Sequence, residues 1–110
     1  AKCRHLALTS TPLATAPISA EWVIKNYGNW IRTFSFIPSK RTDVEAVTYD
    51  RMKSEYLQYF GKADLFIDDS IENIQSAEKI GIKSVVFPRP WNNSKRNIAE
   101  TLSEITKLID

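Results

Sequence analysis

Short apolar runs along this chain alternate with longer stretches of helical spacing. Leu6-Ala7-Leu8 runs into Thr9-Ser10-Thr11-Pro12, which predicts a strand over 6–8 followed by a polar loop. Pro17 and Ser19 open a predicted helix to about Tyr27, with Trp22, Val23 and Tyr27 on one side and Gly28 as its stop. Thr33 to Ile37 alternates and is rich in aromatic and β-branched residues, so it predicts a strand that Pro38 ends. Thr42-Asp43-Val44-Glu45 has capping-box spacing. The helix it opens, interrupted near Asp50, runs to Phe60 with Met52, Tyr56, Leu57 and Phe60 facing inward. Leu65-Phe66-Ile67 reads as a buried strand and leads to a helix from about Ser70 to Ile80, stopped by Gly81. Lys83 to Phe87 is a further strand, closed by Pro88-Arg89-Pro90-Trp91-Asn92. The last predicted helix spans about 94–109, with Ile98, Leu102, Ile105, Leu108 and Ile109 as its docking face.

Strands alternating with helices predict an α/β fold, a Rossmann-like parallel sheet with flanking helices. The 110 residues fit one domain, or most of one, over 1–110. Hydrophobic content of 43% and charged content of 25% belong to a globular chain. A net charge of +2, with basic residues scattered except for Lys40-Arg41 and Lys95-Arg96, argues against a nucleic-acid polymer as partner. The single Cys3 cannot form an internal disulfide, which favours a reducing, cytoplasmic setting. No apolar run approaches the ~18–20 residues of a membrane span, and no signal peptide is visible. The chain opens Ala-Lys-Cys rather than with Met, the form a processed product or a fragment takes.

The candidate chemistry begins at Asp68-Asp69-Ser70. Two adjacent carboxylates at the carboxyl end of a buried strand repel each other and add nothing to packing. A hard divalent cation relieves that repulsion, and oxygen ligands suit Mg²⁺. The carboxyl ends of parallel strands are also where open α/β sheets place their sites. The bland reading, that Asp69 or Ser70 caps the next helix, explains one Asp but not two. Thr9-Ser10 and Lys53 fall at other strand ends or helix starts. A hydroxyl, an ammonium and a carboxylate pair on one edge suit a phosphoryl group.

The order Leu-Ala-Leu-Thr-Ser, then Lys, then Leu-Phe-Ile-Asp-Asp-Ser resembles motifs two, three and four of the haloacid-dehalogenase superfamily of phosphohydrolases. The 5'(3')-deoxyribonucleotidase branch is the closest match, through its Ile-Asp-Asp motif and a Phe-x-Arg-Pro-Trp-Asn segment like Phe87 to Asn92. The resemblance covers about residues 5–93. It implies that Thr9 binds the transferring phosphoryl group with Ser10 assisting, and that Lys53 stabilises the phosphate and the nucleophile. Lys40 is the rival for that role; Lys53 is preferred because it opens Lys-Ser-Glu-Tyr-Leu, a helix start similar to others in the superfamily. The resemblance further implies that Asp68 ligates Mg²⁺ and Asp69 supports the metal shell. Arg89, between Pro88 and Pro90, and Trp91 just after them are candidates for substrate contact, although a Trp there can equally seal the final helix.

The departure lies in the nucleophile. The superfamily uses the first Asp of an Asp-x-Asp motif, and the Asp residues here, at 43, 50, 64, 68, 69 and 110, include no two spaced two apart. The first strand and the cap of that fold are therefore absent from this sequence. The chain resembles the C-terminal part of a Mg²⁺-dependent phosphomonoester hydrolase acting on nucleotides, and as written it is not expected to catalyse. A missing N-terminal segment or a second chain is expected to supply the nucleophile strand. A non-catalytic, degenerate module of the same fold is the alternative. A receiver-like signalling domain is disfavoured, since there the acidic pair comes early and the Lys last. His5 reads as structural or exposed, and Trp22, Trp30 and the Tyr and Phe residues as core.

Overall fold

The computed structural model describes residues 3–39, 47 and 49–109. Lys40 and the Thr42 to Glu45 capping box lie outside the described residues. The elements run β1 (His5–Thr11), a 3₁₀ turn (Leu13–Thr15), α1 (Ala16–Tyr27), β2 (Ile31–Pro38), α2 (Lys53–Phe60), β3 (Leu65–Asp68), α3 (Ile71–Lys79), β4 (Lys83–Val86) and α4 (Ile98–Ile109). The predicted alternation of strand and helix holds throughout, and the fold is α/β. Contacts group the chain into two units, one up to Lys53 and one from Ser54.

Each unit is built on one strand–helix–strand turn. In the first, β1 and β2 pair in parallel from Leu6 opposite Thr33 to Thr11 opposite Pro38, and α1 packs on β2. The strand expected over 6–8 thus continues through Thr9-Ser10-Thr11. These residues looked like a loop because they are polar. β-Branched Thr suits extended backbone, and a ladder with β2 satisfies the peptide groups a loop would leave to water. Ala16 and Ile37 are this unit's buried apolar residues. Gly28 follows α1 with ordinary helical angles, so its requirement is space. A Cβ there would lie 2.3 Å from the Ile24 carbonyl oxygen.

The expected aromatic core does not form in this unit. Trp22 is 57% exposed and Trp30 54%. His5, Trp30, Tyr27 and Trp22 instead make a chain of edge-to-face ring contacts, with centroids 4.9, 5.8 and 5.6 Å apart. His5 is exposed, in agreement with the reading of its sequence context.

In the second unit β3 and β4 pair in parallel, from Leu65 opposite Lys83 to Asp68 opposite Val86, and α3 packs on both. Phe66, Ile74, Ala77 and Val85 are buried, as is Leu57 of α2. Phe60, expected to face inward, is exposed at the end of α2. The helix after β3 is capped by Ser70, whose Oγ accepts the Asn73 N–H at 3.2 Å. It ends at Gly81, whose φ of +87° supplies the left-handed turn.

The last helix starts four residues later than the sequence suggested. Asn97, not Ser94, opens it: its Oδ1 accepts the Glu100 N–H at 2.8 Å. Lys95 and Arg96 consequently precede the helix, and Arg96 pairs with Glu104. The apolar stripe of α4 is only partly covered, with Ile98 and Leu102 each 50% exposed. The residue of α4 that is fully buried is Thr101, whose hydroxyl donates to the Asn97 carbonyl at 2.9 Å.

Among the described residues β1 pairs with β2 alone and β3 with β4 alone. From the sequence, Leu6–Leu8 of β1 and Leu65–Ile67 of β3 both read as buried strands. Neither is buried on both faces as expected. No residue of β1 is fully buried, and Ile67 of β3 is 43% exposed.

Candidate functional site

The site with the most defined geometry is the acidic turn after β3. Side chains alternate along a strand, so Asp68 shares a face with buried Phe66 and is half-buried at the strand's last position. Its backbone stays in the ladder: the Phe87 N–H donates to the Asp68 carbonyl at 2.8 Å. Its carboxylate is oriented from two directions. Oδ1 accepts the Asp69 N–H at 2.9 Å, and Oδ2 accepts the Asn73 side-chain amide at 2.7 Å. Asn73 can reach back because its own N–H is held by Ser70, which fixes the first turn of α3. The acidic pair also sits at the amino end of α3, where unpaired N–H groups favour negative charge.

This arrangement separates the two explanations of the pair. The helix cap is Ser70, so neither carboxylate is needed as a cap. An ionised carboxylate offers about four lone-pair positions, so Asp68 can keep these hydrogen bonds and still ligate a hard cation beside Asp69. The donor set, two carboxylates at a strand end, suits Mg²⁺ in chemistry. Among the described residues no group of three or more His, Cys, Asp or Glu side chains gathers. A cation held here would therefore complete its shell from water or a phosphate, as Mg²⁺ commonly does.

The turn after β4 stands beside this one. Arg89 and Trp91 are both exposed; the Arg89 guanidinium lies 5.2 Å from the centre of the Phe87 ring, and Trp91 is 67% exposed. A Trp that open does not seal the final helix. Asn93 adopts φ of +53°, a conformation Asn tolerates better than most residues, and turns the chain toward α4. Asn92 is buried and joins the two turns: its side-chain amide donates to the carbonyls of Asp69 and Phe87. Asp68, Asp69, Arg89 and Trp91 are thus brought to one end of the β3–β4 pair.

Thr9 and Ser10 belong to the other unit and lie within β1, opposite Phe36 and Ile37, rather than in a loop beyond the strand. Thr9 is half-buried and Ser10 exposed, and as neighbours in a strand their side chains point to opposite faces. Lys53 is the half-buried first residue of α2. Two residues that matter to the geometry, Asn73 and Asn92, were not among the sequence-derived candidates. The signal for Asn73 was its place three residues after Ser70, the spacing of a reciprocal cap. Asn92 stands in a turn two residues after Pro90, where a side-chain amide is often spent on local backbone. Compared with family models, curated proteins and solved structures, the chain matches none.

Proposed function

We propose that this chain forms part of a Mg²⁺-dependent phosphomonoester hydrolase acting on small phosphorylated substrates, nucleotides foremost, with a core like that of the haloacid-dehalogenase superfamily. The observation that carries the reading is the Asp68-Asp69 turn: an acidic pair at the carboxyl end of a parallel strand, with the first carboxylate oriented by Asn73 and the Asp69 N–H. The strand pairing supports it. The resembled sheet sets its nucleophile strand between the strands that correspond to β1 and β3, and among the described residues each of these carries one strand neighbour. The nucleophile strand, with its Asp-x-Asp, is assigned to a further segment or a second chain, and the setting to the cytoplasm.

In this reading Asp68 and Asp69 hold the cation, which when bound supplies charge neutralisation to the phosphate. Thr9 donates its hydroxyl to a phosphate oxygen, with Ser10 assisting. Lys53 balances charge on the phosphoryl group as a point cation. Arg89 and Trp91 present a guanidinium and an aromatic face to the rest of the substrate, a pairing suited to a planar base and its charged sugar phosphate. No helix among the described residues is long and apolar enough to cross a membrane.

Calorimetric titration of Mg²⁺ tests the cation site. Asp68→Asn removes one ligand charge while keeping the side-chain shape, and it should abolish measurable binding that the unaltered chain shows. Equal affinity in the two removes the assignment. The absence of any Asp-x-Asp from this sequence favours a second reading, a non-catalytic binding module of the same fold. That reading predicts ligand binding with no phosphate release, even when the nucleophile strand is supplied.

A further inference from the structure

The turn after β4 contains one buried polar side chain, Asn92, 4% exposed. Nδ2 donates to the Asp69 carbonyl at 2.9 Å and to the Phe87 carbonyl at 2.7 Å. Oδ1 accepts the Arg89 N–H at 3.2 Å and the Ser94 N–H at 3.1 Å. An Asn amide has two donor and two acceptor positions, and all are used. The two halves do different things. The oxygen closes the turn that carries the residue. The nitrogen reaches out of that turn to the ends of both strands.

Those strand ends are where the ladder runs out. Asp68 is opposite Val86, and the Phe87 N–H still donates to the Asp68 carbonyl. One residue further, the carbonyls of Asp69 and Phe87 are bridged by the Asn92 amide, which stands where the next peptide of a ladder would. The Asp69 peptide is therefore gripped on both sides. Its N–H donates to the Asp68 carboxylate and its carbonyl accepts from Asn92.

We propose that Asn92 is a positioning residue for the acidic turn: its amide nitrogen fixes Asp69, and through it the Asp68 carboxylate, against the turn that presents Arg89 and Trp91. The cation ligands and the substrate contacts then move as one piece. This rests on the reading of the acidic turn as a cation site. The substitution that separates the two halves is Asn92→Asp. It keeps an acceptor for Arg89 and Ser94 and removes both donors. It also adds a negative charge near the acidic pair, which by charge alone would tighten a cation.

The test is calorimetric titration of Mg²⁺ into the full chain, with amide hydrogen exchange at Asp69 and Phe87. Asn92→Asp should weaken Mg²⁺ by ~10–100-fold, the usual effect of losing a residue that orients a ligand, and should speed exchange at both amides. Unchanged or tighter Mg²⁺ with unaltered exchange overturns the proposal, because a role confined to the residue's own turn survives in Asp. Should Asn92→Asp fail to fold, the unaltered chain decides. Mg²⁺ should move the nuclear magnetic resonances of the Asn92 side-chain amide along with those of Asp69, and a shift at Asp69 with none at Asn92 overturns it. If the unaltered chain binds no Mg²⁺, the cation reading fails instead. The exchange rates in Asn92→Asp then decide the positioning role by themselves: faster exchange upholds it and unchanged exchange ends it.

Discussion

At the scale of single residues, a carboxylate with no orienting partner is a poor ligand, because ordering it costs side-chain entropy when the cation arrives. Asp68 is ordered in advance by Asn73 and by the Asp69 N–H. Lys53 raises a different question. It opens α2 and is half-buried, whereas its rival Lys40 lies outside the described residues. With Lys53 as the phosphate-side cation, Lys53→Ala in the assembled protein should lower phosphatase activity far more than Lys40→Ala, by about two or more orders of magnitude. The reverse ranking, read from steady-state kinetics of both variants, places the lysine at position 40. The acidic pair was legible in the sequence because two charges ending an apolar run have no packing explanation. Asn73 and Asn92 were not. Their amides act on neighbouring backbone and carboxylate, and nothing in an apolar period records such contacts.

At the scale of elements, caps and ladders decided where the sequence reading held. Ser70 and Gly81 bound α3 within a residue of expectation, because each has a local mechanism, a hydroxyl cap and a left-handed turn. Ser70→Ala should cost ~0.5–2 kcal/mol in urea unfolding, the usual scale for an N-cap. It should also loosen Asn73, so the Mg²⁺ affinity should fall with it. Stability and affinity both unaltered would show that the cap does not organise the acidic turn. The start of α4 differs from the sequence expectation because apolar spacing cannot tell helix from approach, while the Asn97 side chain can. β1 was cut short for a related reason. The polarity of Thr9-Ser10-Thr11 suggests a loop, yet the partner strand that keeps them extended is 27 residues away in sequence, invisible to any local pattern.

At the scale of the whole molecule, the notable fact is how little of the apolar surface is covered. Trp22, Trp30, Ile67, Ile98 and Leu102 are all at least 43% exposed. Exposed apolar side chains mark a surface that meets another segment or chain where they lie together. Among the described residues β1 and β3 each have one strand neighbour, and a sheet edge can pair with a further strand. A strand carrying Asp-x-Asp, supplied as a longer chain or as a separate peptide, should bind and raise the thermal midpoint. It should also slow amide exchange along β1 and β3. A midpoint and exchange pattern that ignore the added strand would favour the binding-module reading.

The most direct test of the central claim is Mg²⁺-dependent release of inorganic phosphate from a nucleoside monophosphate by the assembled protein, measured for the natural sequence and for Asp68→Asn side by side. The account predicts turnover that requires Mg²⁺ in the first and a loss of about two or more orders of magnitude in the second, the scale of a principal electrostatic element. Phosphate release that ignores Mg²⁺, or that survives Asp68→Asn at near-normal rate, would contradict it.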